Sequence, residues 1–189
     1  MKTNLKNTVT TVIAVILTLA IVFARMTNFT GYDGTNLSLL KTLEAFSCFV
    51  TLFIGLAYQI KEYQKSASIF YKLFMFFLIV NAIISFIIPV VFCFEREGVN
   101  TNYIIVAIAY LIVILCYTLL TFVKDLGEGN TKILSAVVIV INALLLINSI
   151  VKGYSVEYMY ATIAGLLLAL LAYTFVNAKY NDKESRGSE

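Results

Sequence analysis

Histidine and tryptophan are absent from the 189 residues, proline occurs once, and charged side chains make up only 13%. Without histidine there is no Ser-His or Cys-His nucleophile, no imidazole metal ligand and no haem held by histidine. An ordinary soluble domain carries about 25% charged residues, so this chain has too few to cover a water-facing surface. The expectation is a protein that is not an enzyme and has no cofactor and no metal. What is abundant is apolar: 60% of the residues are hydrophobic, at a mean hydropathy of +0.89. Lipid is the solvent that suits such a composition.

A helix crosses about 30 Å of hydrocarbon with about 20 apolar residues. Six stretches meet that requirement, at residues 8–24, 39–60, 70–94, 103–123, 133–151 and 156–176, and the breaks between them are short and polar. The fold class read from this pattern is all-α, a polytopic membrane helix bundle with six transmembrane helices. Residues 1–180 form one domain in this reading, and 181–189 a charged, disordered cytoplasmic tail. Lys and Arg fall on alternate sides ten to four: Lys2, Lys6, Lys61, Lys65, Lys72, Lys124, Lys132, Lys179, Lys183 and Arg186 against Arg25, Lys41, Arg96 and Lys152. Cytoplasmic loops retain positive charge, so a multi-pass protein of the cell membrane with both termini in the cytoplasm is expected. The net charge of +3 then reflects topology, and no nucleic acid is expected as a partner. The first stretch has a rival reading as a cleaved signal peptide, because Val22-Phe23-Ala24 precedes Arg25 after an apolar run.

Inside a membrane each helix satisfies its own backbone, so polar side chains mark the faces that meet other helices. Ser47, Thr51, Gly55 and Gln59 recur every four residues, as do Asn81, Ser85, Pro89 and Cys93. Tyr103, Tyr110 and Tyr117 are spaced by seven, and so are Ser135, Asn142 and Ser149. Ala161, Gly165 and Ala169 have the small-residue spacing that lets two backbones approach closely. Pro89 has no N–H for the carbonyl of Ser85, which predicts a kink in the third span. Asn81 and Asn142 stand out because a buried amide must find partners for several donors and acceptors.

Ionisable residues within spans are functional candidates by default. Glu44 lies about one turn into the second span, Arg25 ends the first, and Glu157 begins the sixth. Together they predict an outer mouth suited to a small cation or zwitterion. With no acidic residue near a midpoint, a proton relay or a carboxylate-bound sodium site is not expected. Cys48, Cys93 and Cys116 are isolated thiols within apolar stretches and read as packing residues. Gly127-Glu128-Gly129 lacks the further glycine and the lysine of a phosphate loop and reads as a turn.

Two functions follow. The leading expectation is the handling of a small polar or cationic solute, by a compact transporter or the binding subunit of one, with Arg25, Glu44, Asn81, Ser85, Asn142 and Glu157 as ligand-binding residues. The alternative is a non-transporting partner of another membrane protein, as an assembly factor, immunity protein or regulatory subunit, whose stripes serve only to pack helices.

Overall fold

Long uninterrupted apolar runs leave the backbone no partners but its own, and every described stretch of the chain is accordingly helical. The computed structural model describes residues 12–13, 15–23, 35–59, 67–94, 100–123, 126–154 and 156–186. Six helices result: α1 (12–13 and 15–23), α2 (Asn36–Gln59), α3 (Ala67–Phe92), α4 (Thr101–Phe122), α5 (Gly127–Val151) and α6 (Val156–Arg186). The stretches Asn36–Gly55, Ile69–Phe92, Thr101–Phe122, Gly127–Val151 and Tyr158–Val176 are long and apolar enough to cross a membrane. Among the described residues five stretches qualify as spans where six were expected, and of the first expected stretch only 12–13 and 15–23 are described. Large apolar side chains such as Phe46, Phe53, Ile105, Leu115 and Leu144 face outward, as they do when lipid surrounds a bundle. The chain is thus an all-helical membrane protein.

The helix ends are set by local chemistry. Thr35 accepts from the Ser38 N–H at 3.2 Å through its hydroxyl and from the Leu39 N–H at 3.1 Å through its carbonyl, which starts α2 three residues before the expected position. Asn100 caps α4, its side chain accepting from the Asn102 N–H at 3.0 Å. At the end of α5 the Gly153 N–H donates to Ile150 and the Tyr154 N–H to Ser149, both at 3.1 Å. This pattern closes a helix around a left-handed residue, and Gly153 takes it at φ +64° without the penalty of a Cβ. The Gly127-Glu128-Gly129 segment, expected as a turn, is instead the first turn of α5. Glu128 there sits near the positive end of the helix dipole and pairs with Lys132 one turn on. Helix α6 runs on to Arg186, into the tail expected to be disordered, because no Gly or Pro interrupts the sequence after Gly165 before Gly187.

Packing joins α2 to α3, α3 to α4, and α5 to α6, while the α4–α5 contact is lighter. The bundle therefore has two groups, α2–α4 and α5–α6, laid against each other. Helix α1 meets them through Thr18 and Ile21. One half of the bundle, at the end where α3 and α5 begin, is a continuous apolar core. Phe74 of α3 and Phe175 of α6 meet edge to face with ring centroids 4.7 Å apart, surrounded by Leu52, Met75 and Leu171. The other half, at the end where α2, α4 and α6 begin, holds the buried carboxylate and amides, Glu44, Asn81 and Asn142.

Candidate functional site

Glu44 is the ninth residue of the 20-residue stretch Asn36–Gly55 that qualifies as a span. The Thr35 cap moves the start of the helix back, so Glu44 lies about 12 Å along it rather than one turn in. The helix continues to Gln59, so Glu44 lies about a third of the way along α2. Its side chain is 6% exposed and accepts a hydrogen bond at Oε1 from the Ser85 hydroxyl of α3. One turn away on α3, Asn81 donates through Nδ2 to the Glu44 carbonyl at 3.0 Å and to Ser47 Oγ at 2.8 Å. Ser47 in turn donates to the Glu44 carbonyl at 2.9 Å. The four-residue spacing of Asn81 and Ser85 places them on one face of α3, opposite the matching face of α2.

Asn142 reaches the same interior from α5. It is 5% exposed and donates through Nδ2 to the Val138 carbonyl of its own helix at 2.9 Å. Its Oδ1 lies over Gly165 of α6, only 2.9 Å from where a Cβ on that residue would stand. Any larger residue at 165 would displace the amide. The Ala161–Gly165 spacing thus admits a polar side chain of α5 between the two helices of its group. Among the described residues, Oδ1 of Asn142 and Oδ1 of Asn81 receive no hydrogen bond.

These residues surround a small interior space of about 20 Å³, lined by Glu44, Asn81, Ser85, Tyr110, Tyr117 and Asn142, with Ala161 and Gly165 on the α6 side. Leu78 and Leu168 floor it, and beyond them the Phe74–Phe175 pair closes the apolar half. A second space of about 50 Å³ adjoins it, lined by Lys41, Glu44, Ser85, Pro89, Tyr110 and Tyr158. Glu44, Ser85, Tyr110 and Ala161 line both, so the Glu44–Ser85 contact stands at their junction. The pair leads from the end where α2 begins to the middle of the bundle. A water needs about 10–15 Å³ by this measure, so the two spaces hold a few water-sized occupants.

Four of the six expected site residues, Glu44, Asn81, Ser85 and Asn142, line one space. Arg25 lies outside the described residues. Glu157 is in α6, but its side chain is outside those described. Pro89 lines the second space, and α3 stays helical past it to Phe92 before widening to a π turn at residues 93–94. Tyr110, Tyr117, Tyr158 and Lys41 were not expected at the site; the seven-residue spacing of Tyr110 and Tyr117 was the available clue. Next to Tyr158 an aromatic cluster covers this end, with Tyr154 and Tyr158 at 5.1 Å, Tyr103 and Tyr154 stacked at 6.5 Å, and Phe92 on Tyr103 at 4.9 Å.

The three cysteines are free thiols. No group of three or more His, Cys, Asp and Glu that would suit a metal ion occurs among the described residues. Comparison with known protein families, with curated proteins and with solved structures finds no match to this chain.

Proposed function

We propose that this membrane protein binds a small polar or cationic solute between the α2–α4 and α5–α6 groups and passes it along that seam. The observation that carries the reading is that Glu44, Asn81, Ser85 and Asn142, from three helices, line one interior space. An ionisable side chain buried within a span is costly and is a functional candidate by default. The lighter α4–α5 contact supplies a place where the two groups can part to widen the space. On the charge distribution of the loops, the end where α2 begins is the outer one, and the solute enters there.

The small volume of the two spaces favours a second reading, that of a packed partner protein whose polar side chains only hold helices together. Gentle extraction from native membranes followed by mass spectrometry separates the two. On the solute reading a small molecule or ion is retained by the wild-type chain and lost from the Ser85→Ala variant. If a second protein co-purifies and the Ser85→Ala variant retains it unchanged, the partner reading holds instead.

A further inference from the structure

The hydrogen bonds around the inner space leave three polar atoms over. Asn81 uses both amide protons on α2, one on the Glu44 carbonyl and one on Ser47 Oγ, so only its Oδ1 remains. Asn142 donates to the Val138 carbonyl of its own helix, and its Oδ1, which lies over Gly165, accepts nothing among the described residues. The Tyr117 hydroxyl of α4 likewise has no hydrogen-bond partner among the described residues. All three side chains are more than nine-tenths buried, with Asn81 at 7%, Asn142 at 5% and Tyr117 at 4% exposure. A buried polar atom left unpaired costs about 1–3 kcal/mol. These three line the same space of about 20 Å³, and they are complementary: two are acceptors and the hydroxyl is a donor.

We infer that one ordered water occupies this space and ties the α2–α4 group to the α5–α6 group, accepting from the Tyr117 hydroxyl and donating to Oδ1 of Asn81 and Oδ1 of Asn142. Size and bonding together choose the occupant. A water needs about 10–15 Å³ by this measure and makes about three hydrogen bonds when buried, and the space and its three atoms provide both. A metal cation is a poorer match, because the tyrosine presents a proton as well as an oxygen. Water is neutral, so Glu44 and Tyr110, which line the same space and have partners of their own, are not needed to balance it. The bridge falls where direct contact is light: α4 and α5 meet less extensively than the helices within each group, and the amide bonds of Asn81 and Asn142 stay inside their own groups. A bond through water is nearly as favourable as a direct one, so a single molecule gives this seam a polar link. The inference goes beyond the proposed function, since it names what joins the two groups and needs no solute.

The test is a crystal structure of the purified full-length chain grown in a lipid mesophase, at a resolution that shows ordered water, from a sodium salt and from a rubidium salt. Expected is one peak of water density, the same in both, about 2.5–3.0 Å from the Tyr117 hydroxyl and from the two amide oxygens. The absence of a peak overturns the inference, as does a direct bond between Tyr117 and either amide. A peak that strengthens in rubidium also overturns it, because the occupant is then a cation. A double-mutant cycle reads the same bridge through reversible unfolding in mixed detergent. Tyr117→Phe keeps the ring and removes the hydroxyl, and it should lower the folded-to-unfolded ratio about threefold, the size of an average interhelical bond in a membrane. In the Asn142→Leu background, where the far end of the bridge is gone, the same change should have a smaller effect. A loss as large there as in the wild type overturns the inference, since the two residues then act independently. The crystal result does not depend on either variant folding.

Discussion

At the end of the bundle where α2 begins, Asn81 and Ser85 reach across from α3 to α2. At the other end, Thr131 and Ser135 of α5 are equally buried, yet their hydroxyls turn back to the carbonyls of Gly127 and Thr131 on their own helix. The residue types overlap, but the consequences differ. A hydroxyl bonded to the preceding turn leaves the helix surface effectively apolar, and the packing around it is van der Waals contact, as between Phe74 and Phe175. An amide or carboxylate has a second polar atom that this solution leaves over: Asn142 bonds the Val138 carbonyl of its own helix through Nδ2, while Asn81 reaches across to α2. Polarity count alone therefore does not locate a site in a membrane bundle; the reach of the side chain does.

The largest expected effect sharpens the apolar side of this contrast. Phe175→Ala removes a ring that is 1% exposed and forms the edge-to-face pair with Phe74. Lipid solvates the ring in the unfolded state, so the cost is mainly lost packing, about 2–3 kcal/mol. Reversible unfolding in mixed detergent measures it. Next comes Gly55→Ala, whose new Cβ would stand 2.8 Å from Phe175 Cε2 and 3.1 Å from Phe74 Cε2. Two packed rings have little room to give, and a loss of about 1–2 kcal/mol is expected in the same assay. Asn81→Leu acts in the polar half. It removes two hydrogen bonds to α2 for about 1 kcal/mol, since interhelical bonds in membranes average about 0.6 kcal/mol. Unlike the first two variants, it should alter retention of a bound solute or ion as well as stability. If Asn81→Leu costs more stability than Phe175→Ala, the polar half is the structural one and the assignment of roles is reversed.

Most of the architecture was legible from periodicity. Hydropathy located the helices because lipid demands long apolar runs, and the four- and seven-residue spacings located their inward faces: Ser135, Asn142 and Ser149 are all buried on α5. Helix starts were less legible. Thr35 and Gly127 begin their helices earlier than hydropathy allows, because capping and first-turn residues are polar. That shift of three residues puts Glu44 about 12 Å along α2 rather than one turn in. The α5–α6 pairing explained Gly165, whose small size makes room for Asn142. No spacing rule connects residues 142 and 165, since their meeting depends on the angle at which the two helices pack. Tyr110 and Tyr158 come together from helices far apart in the chain for the same reason.

The smallest expected effect is the most direct check on the comparison. Ser135 is 4% exposed, no less buried than Ser85 at 5%, and both carry one hydroxyl on a central helix face. Burial alone predicts equal consequences for replacing either by alanine. The bonding pattern predicts otherwise. Ser135→Ala deletes a bond to the Thr131 carbonyl, which keeps its helical N–H partner, so stability should stay within about 0.5 kcal/mol of the wild type. Ser85→Ala strips a buried carboxylate of a donor from another helix, and the side chain of Glu44 loses what fixes its position. Its cost in stability is also modest, about 1 kcal/mol, but it should carry the loss of solute retention that Ser135→Ala lacks. Measured side by side in one nanodisc preparation, equal responses from the two serines would mean that the polar half binds nothing and only packs.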